Sequence, residues 1–176
     1  MAESQTPEND RRLLAHLAAG SEAAFADLYD RYGLRLFRTA LGLLGRREDA
    51  EDCVQDVFAA LVRSRDRLAE VRDLPAYLFA SLRRQALRRA AQRRDEPASL
   101  VIECRGPEPQ PDDPRSEALH RALRSLSAEQ REVIALKIEG QLTFAEIGRV
   151  LSVSPNTAAS RYRYALERLR DRLRNC

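Results

Sequence analysis

The chain has 176 residues, 44% hydrophobic and 32% charged, enough for one ordinary domain or two small ones. No run approaches the roughly 20 apolar residues that cross a bilayer. The first thirty residues lack an apolar signal core, and three cysteines without a CxxC spacing argue against a disulfide scaffold or a cysteine zinc site. A cytoplasmic protein with no membrane insertion is expected.

The net charge of +3 averages over four blocks: −4 across residues 1–62, +7 across 63–94, −5 across 95–117 and +5 across 118–176. Two basic blocks separated by an acidic one suggest two sites for a polyanion. Solvated helix faces would give the same totals. Of the 30 basic residues only Lys137 is lysine; the bias runs through every segment and carries little weight.

In chain order, residues 11–19 read as a short helix with Leu13, Leu14 and Leu17 on one face. Ser21 is an N-cap candidate for a long helix to Leu44. Its apolar stripe is Phe25, Leu28, Tyr29, Tyr32, Leu36, Phe37, Ala40 and Leu44, and Gly45 stands where a C-terminal cap belongs. The next helix spans 48–63. Cys53, Val54, Val57, Phe58 and Leu61 form its stripe, with Asp49, Asp52, Gln55 and Asp56 opposite. A third helix opens near Pro75, a good first-turn residue, carries Leu78, Phe79, Leu82 and Leu87, and ends at Arg94 in RRQALRRAAQRR.

Residues 95–115 hold five of the eight prolines and read as an extended acidic linker around a small apolar patch, Leu100 to Ile102. A helix over 116–125 follows. Ser127 with Gln130 and Thr143 with Glu146 fit the capping box. Gly140 closes the helix of Val133, Ile134, Leu136 and Ile138. A short helix carries Phe144, Ile147, Val150 and Leu151. Ser154 and Pro155 then open a last helix to Leu173. The fold class is all-α: two small helical domains joined by a proline-rich linker, over 9–94 and 116–176 with 95–115 between.

Residues 143–170 have the spacing of a helix-turn-helix. Its second helix carries Asn156, Thr157, Ser160, Arg161, Arg163 and Tyr164, with Ala158 and Ala159 small enough for close approach to a groove wall. An ordinary antiparallel helix pair with a cationic surface is the plainer reading of the same spacing.

The stretch from SAEQREVIALK through TFAEIGRVLSVSPNTAASRYRYALERLR resembles the C-terminal promoter-binding domain of bacterial sigma factors. Independently, AFADLYDRYGLRLFRTALGLLGRREDAEDCVQDVFAAL resembles the family's second conserved domain. The two matches stand in the family's order across a linker. No segment resembles the intervening third domain, so the chain is similar to the two-domain extracytoplasmic-function (ECF) class of the sigma-70 family.

The resemblance implies a protein that is not an enzyme. It implies binding to core RNA polymerase, recognition and opening of promoter DNA, and control by an anti-sigma factor. REDAEDCVQDVF matches the core-binding helix, which assigns Asp49, Asp52, Gln55, Asp56 and Phe58 to polymerase. Early acids also complement a helix dipole, which accounts for Asp49 and Asp52 but not Asp56. LPAYLFASLRRQALRRAAQRR matches the promoter-opening helix, with Arg83, Arg84, Arg88 and Arg89 as a track for melted DNA. The family often has Asn where Arg84 stands. The loop 65–73 lies where the family captures a flipped base of the minus-ten element. Ser160, Arg163 and Tyr164 match positions facing bases of the minus-thirty-five element, while Asn156, Thr157 and Arg161 suit phosphates. The family frequently has a basic residue where Ala159 stands.

His16 and His120 lie far apart in the sequence, and no phosphate loop or hydrolytic triad occurs, so no catalytic residue, metal site or cofactor is expected. Cys53 reads as a small buried hydrophobe, Cys104 and Cys176 as candidate exposed thiols. Two other readings remain open on sequence grounds: a dimeric helix-turn-helix regulator, and a sigma-like interaction protein that does not initiate.

Overall fold

The computed structural model describes residues 7–94 and 114–174. The proline-rich run, the Leu100 to Ile102 patch, Cys104 and Cys176 lie outside them. Among the described residues there are eight α-helices and no strand: α1 Pro7–Ala18, α2 Glu22–Leu44, α3 Arg47–Arg63, α4 Leu74–Arg94, α5 Pro114–Arg124, α6 Ala128–Ile138, α7 Phe144–Leu151 and α8 Pro155–Arg174. A 3-10 turn, Arg65–Glu70, follows α3. The chain is therefore all-α, with one helical group on each side of 95–113.

The helix ends obey their local chemistry. α1 starts at Pro7, earlier than the expected 11, because proline suits a first helical position and Glu8 and Asp10 fill the positive first turn. The Ser21 hydroxyl accepts from the Ala24 N–H, and Gly45, left-handed at φ 76°, closes α2 by donating to the Leu41 carbonyl. Both expected capping boxes form with reciprocal bonds, Ser127 with Gln130 and Thr143 with Glu146. The Ser154 hydroxyl accepts from the Thr157 N–H at 3.0 Å and starts α8. α4 begins at Leu74 rather than Pro75, since the Asp73 carboxylate takes the Ala76 N–H at 2.9 Å.

The helices pack in two layers of contact that meet. Leu28, Tyr32 and Leu36 of α2, Val57 and Leu61 of α3, and Leu78, Phe79 and Leu82 of α4 are fully or almost fully buried. Leu13, Leu14 and Leu17 of α1 close that cluster from one side. Val133 and Leu136 of α6, Leu142, and Ile147 and Val150 of α7 belong to the same cluster, so the two helical groups share one apolar wall. A second, smaller core joins Ala122 and Leu126 to Ala165 and Leu169 of α8. Burial of each large side chain stabilises by about 1.5–3 kcal/mol, whereas exposed pairs such as Arg47 with Glu51 contribute about 0–1 kcal/mol. The shared wall, not surface ion pairing, holds the groups together.

Three residues expected on buried stripes are exposed: Tyr29 at 59%, Leu87 at 48% and Ile138 at 52%. Tyr29 sits at the edge of the buried stripe of α2, whereas Leu87 and Ile138 lie on the far sides of α4 and α6, where an apolar residue type does not by itself decide burial. Cys53 is buried as expected. Its thiol lies 3.7 Å from the Leu82 carbonyl, and burial pushes it up to about 11. It is therefore a poor nucleophile at neutral pH.

Candidate nucleic-acid and partner interfaces

The outer face of α3 presents Asp52 and Gln55, with Asp56 and Phe58 half-buried beside them. The Tyr29 ring of α2 lies 5.3 Å from the Phe58 ring at 53°. Together these residues make an apolar shelf edged with acid. Asp49 is not part of that face. It is the third residue of α3, one turn before Cys53 on the inward side, and it is buried. Its placement fits a carboxylate set against the helix dipole.

The four arginines expected to form one track on α4 fan out around the helix. Arg84 and Arg88, four residues apart, are exposed on one face. Arg83 turns toward α6 and grips Glu132 with a two-pronged bond, 3.1 Å and 3.3 Å. Arg89 turns toward α3, donating to Asp56 at 2.6 Å and Asp52 at 3.2 Å. Burial opposes the Arg89 charge, but the bond to Asp56 and the field of Asp52 outweigh it and hold the guanidinium above its ordinary value. A helix carrying six arginines in its last twelve residues must direct some of them at neighbours, and the acids of α3 and α6 are the neighbours available. Asp52 and Asp56 are thus partly neutralised from within.

Before α4, the 65–73 segment is anchored by fully buried Leu68, while Arg65, Asp66, Arg67, Glu70 and Arg72 are exposed. A cleft of about 480 Å³ opens between this segment and α1, lined by Arg11, Leu14, Ala15, Ala69, Glu70, Val71 and Arg72. That volume lies in the range of small-molecule pockets.

α7 and α8 form the helix-turn-helix. Ser152 takes the left-handed conformation, φ 56°, and both it and Val153 donate to the Gly148 carbonyl. Gly148 must lack a side chain, because a Cβ there would stand 2.8 Å from the Val153 oxygen. Ala158 is fully buried against the shared core, which brings α8 close to α7. The outer face of α8 shows Asn156, Thr157, Arg163 and Tyr164, with Ser160 half-buried. Arg163 donates to the Ser160 hydroxyl at 3.4 Å and lies 6.0 Å from the Tyr164 ring. Arg161 leaves this face and pairs with Glu129 at the start of α6, 3.2 Å away.

Sequence reasoning did not assign any residue to joining the two helical groups. The Arg35 guanidinium donates twice to the Gly140 carbonyl, at 3.1 Å and 2.6 Å, across 105 residues of chain. It lies 5.1 Å from the Tyr32 ring and 5.6 Å from the Phe79 ring. Burial pulls its pKa down. Arg149 of α7 pairs with Asp73, the cap of α4. Asp10 lies near the same cluster, its carboxyl raised by burial. Arg35 sits one residue from core Leu36, and Gly140 reads as a helix terminator, so neither carries a sequence signal for the pairing.

Two family models match the chain: sigma-70 region 2 over residues 28–96 and sigma-70 region 4 over residues 116–169. The ECF RNA polymerase sigma factor SigL of Mycobacterium tuberculosis is 33% identical over 87% of this chain and 91% of its own length. The RNA polymerase sigma factor CarQ of Myxococcus xanthus is 31% identical over 88% and 91%. Among solved structures, CnrH in complex with the cytosolic domain of CnrY superposes with a TM-score of 0.69 at 26% identity, covering 94% of this chain and 97% of that one. The sigma factor RpoE of Bartonella quintana, solved with the anti-sigma factor NepR, gives 0.65 at 26% identity, over 84% and 97%.

Proposed function

The chain belongs to the extracytoplasmic-function sigma factors of the sigma-70 family, and from that membership we propose how its surfaces divide the work of directing transcription. The observation that carries the proposal is the coexistence, in family order, of an acid-edged apolar shelf and a helix-turn-helix with an exposed polar face.

The shelf of Asp52, Gln55, Asp56 and Phe58 docks on core RNA polymerase. A basic partner surface would compete with Arg89 for Asp52 and Asp56. Arg84 and Arg88 attract the melted strand, and the cleft between α1 and 65–73 receives an unstacked base beside Arg11 and Arg72. Arg83 and Arg89 join that track only after leaving their carboxylates. On α8, Ser160, Arg163 and Tyr164 read bases of the minus-thirty-five element, while Asn156 and Thr157 touch phosphates. Arg161 reaches DNA only by giving up Glu129.

Work in the cytoplasm, with selectivity rather than catalysis as its contribution, completes the proposal. Among the described residues no helix is long and apolar enough to cross a membrane. The solved relatives were captured with CnrY and NepR, which supports an anti-sigma factor as a further partner.

Co-purification with core RNA polymerase tests the assignment of the shelf. The wild-type chain is expected to co-elute stoichiometrically and the Asp52→Arg/Asp56→Arg variant to be lost. Failure of the wild-type chain to co-elute would favour a free helix-turn-helix regulator.

A further inference from the structure

We propose that Arg89 couples polymerase docking to strand binding: it shields Asp52 and Asp56 in the free chain, is displaced when core RNA polymerase takes those carboxylates, and then joins the grip on the melted strand. This rests on the division of labour proposed above and adds an order of events to it.

The geometry suits an exchange. Asp52 and Asp56 lie one turn apart on α3, where like charges repel. Arg89 spans them from α4, donating to Asp56 at 2.6 Å and to Asp52 at 3.2 Å. Two acids and one guanidinium leave this part of the shelf with a single net negative charge. The clamp comes from the inner side. The Arg89 side chain is 24% exposed, whereas those of Asp52 and Asp56 are 58% and 46% exposed. An incoming cation therefore reaches both carboxylates without moving a helix.

The internal fit is also incomplete. The Arg89 Nε is buried with no hydrogen-bond partner, an orphan donor that weakens the pairing. Burial opposes the Arg89 charge, and the α3 groups Asp56, Asp52 and the Cys53 thiol offset that opposition. A cation of the polymerase on the same two carboxylates removes this compensation and sets a like charge beside the guanidinium. Arg89 is then better placed elsewhere. Arg88 adjoins it in sequence and is exposed beside Arg84. Rotation about the Arg89 side-chain bonds, with α4 fixed, brings a third guanidinium toward the phosphates those two attract. Linkage makes the effect reciprocal. A strand that holds Arg89 also bares Asp52 and Asp56, and so tightens the hold of polymerase by the same factor.

A cycle of full-length variants tests the exchange without polymerase. Asp52→Asn/Asp56→Asn imitates carboxylates already taken. The probe is a fluorescein-labelled oligo-dT of about 20 nucleotides, titrated by anisotropy across a salt series. The double-Asn variant is expected to bind about fivefold more tightly than the wild-type chain. Its salt slope should be steeper by about 0.7, the increment of one phosphate contact on a single strand. The loss caused by Arg89→Gln should be about fivefold larger in the double-Asn background than in the wild-type one, the non-additivity expected when one residue holds another. General repulsion between acid and DNA gives equal losses in both backgrounds. Equal losses, an unchanged salt slope, or no binding of the probe by any form would overturn the coupling. The salt slope alone decides it if circular dichroism shows that the triple variant has lost helix. In a second arm, Arg89→Gln is expected to bind core RNA polymerase more tightly than the wild-type chain, because its carboxylates are already bare. Weaker binding would make Arg89 a strut that orients the shelf, and would overturn the exchange as well. A wild-type chain that binds no polymerase counts against the sigma reading instead; the oligo-dT cycle then decides whether the acids hold Arg89 back from a strand.

Discussion

On the exposed face of α8, Arg163 has its guanidinium within 3.4 Å of the Ser160 hydroxyl. A guanidinium in a major groove reads guanine through two parallel bonds, each such pair worth about 1–3 kcal/mol of discrimination. Arg163→Ala is therefore expected to cost about 1–3 kcal/mol on a cognate minus-thirty-five duplex and much less on a scrambled one. Equilibrium titration of both duplexes at one salt concentration checks this; equal losses would assign Arg163 to phosphate. Arg161 illustrates what residue type alone does not reveal. It carries the same charge two positions earlier, yet it turns to Glu129. Asp49 and Arg89 teach the same lesson. Their residue types suit an exposed binding face, but their sides of α3 and α4 look inward or toward an acid. Charge is legible in a sequence, whereas the direction it faces depends on which neighbour packs there.

At the scale of elements, the turn chemistry was the most legible part. Serine or threonine followed three residues later by Gln or Glu produced both capping boxes, because those bonds depend only on local chain. The helix boundaries moved by a few residues at most, at Pro7 and at Pro114. The helix-turn-helix depends on close backbone approach at Gly148, whose absent Cβ leaves room for the Val153 carbonyl. Gly148→Ala must push rigid backbone, and overpacking of that kind costs about 1–3 kcal/mol. The denaturant midpoint should fall accordingly, with the slope unchanged, and binding to the minus-thirty-five duplex should weaken because α8 is displaced. An unaltered midpoint would show that the turn relaxes without strain.

For the whole molecule, the four charge blocks acquire a spatial meaning that totals do not carry. Acid in α3 meets an arginine of the basic block in α4, and a second arginine of that block meets Glu132 of α6. The near-neutral sum thus reflects internal pairing as well as separate surfaces. Two domains and their order were readable from motifs. Their shared core was not, since it rests on contacts such as Arg35 with Gly140 that lie 105 residues apart and depend on shape rather than periodicity. The central claim is that this chain selects promoters through two elements. Its most direct test is run-off transcription with core RNA polymerase on a promoter mapped upstream of transcripts induced by the chain. The account predicts a discrete transcript that requires the chain and is lost when either the minus-ten or the minus-thirty-five element is scrambled. Stable polymerase binding with no promoter-specific transcript from that template would contradict it.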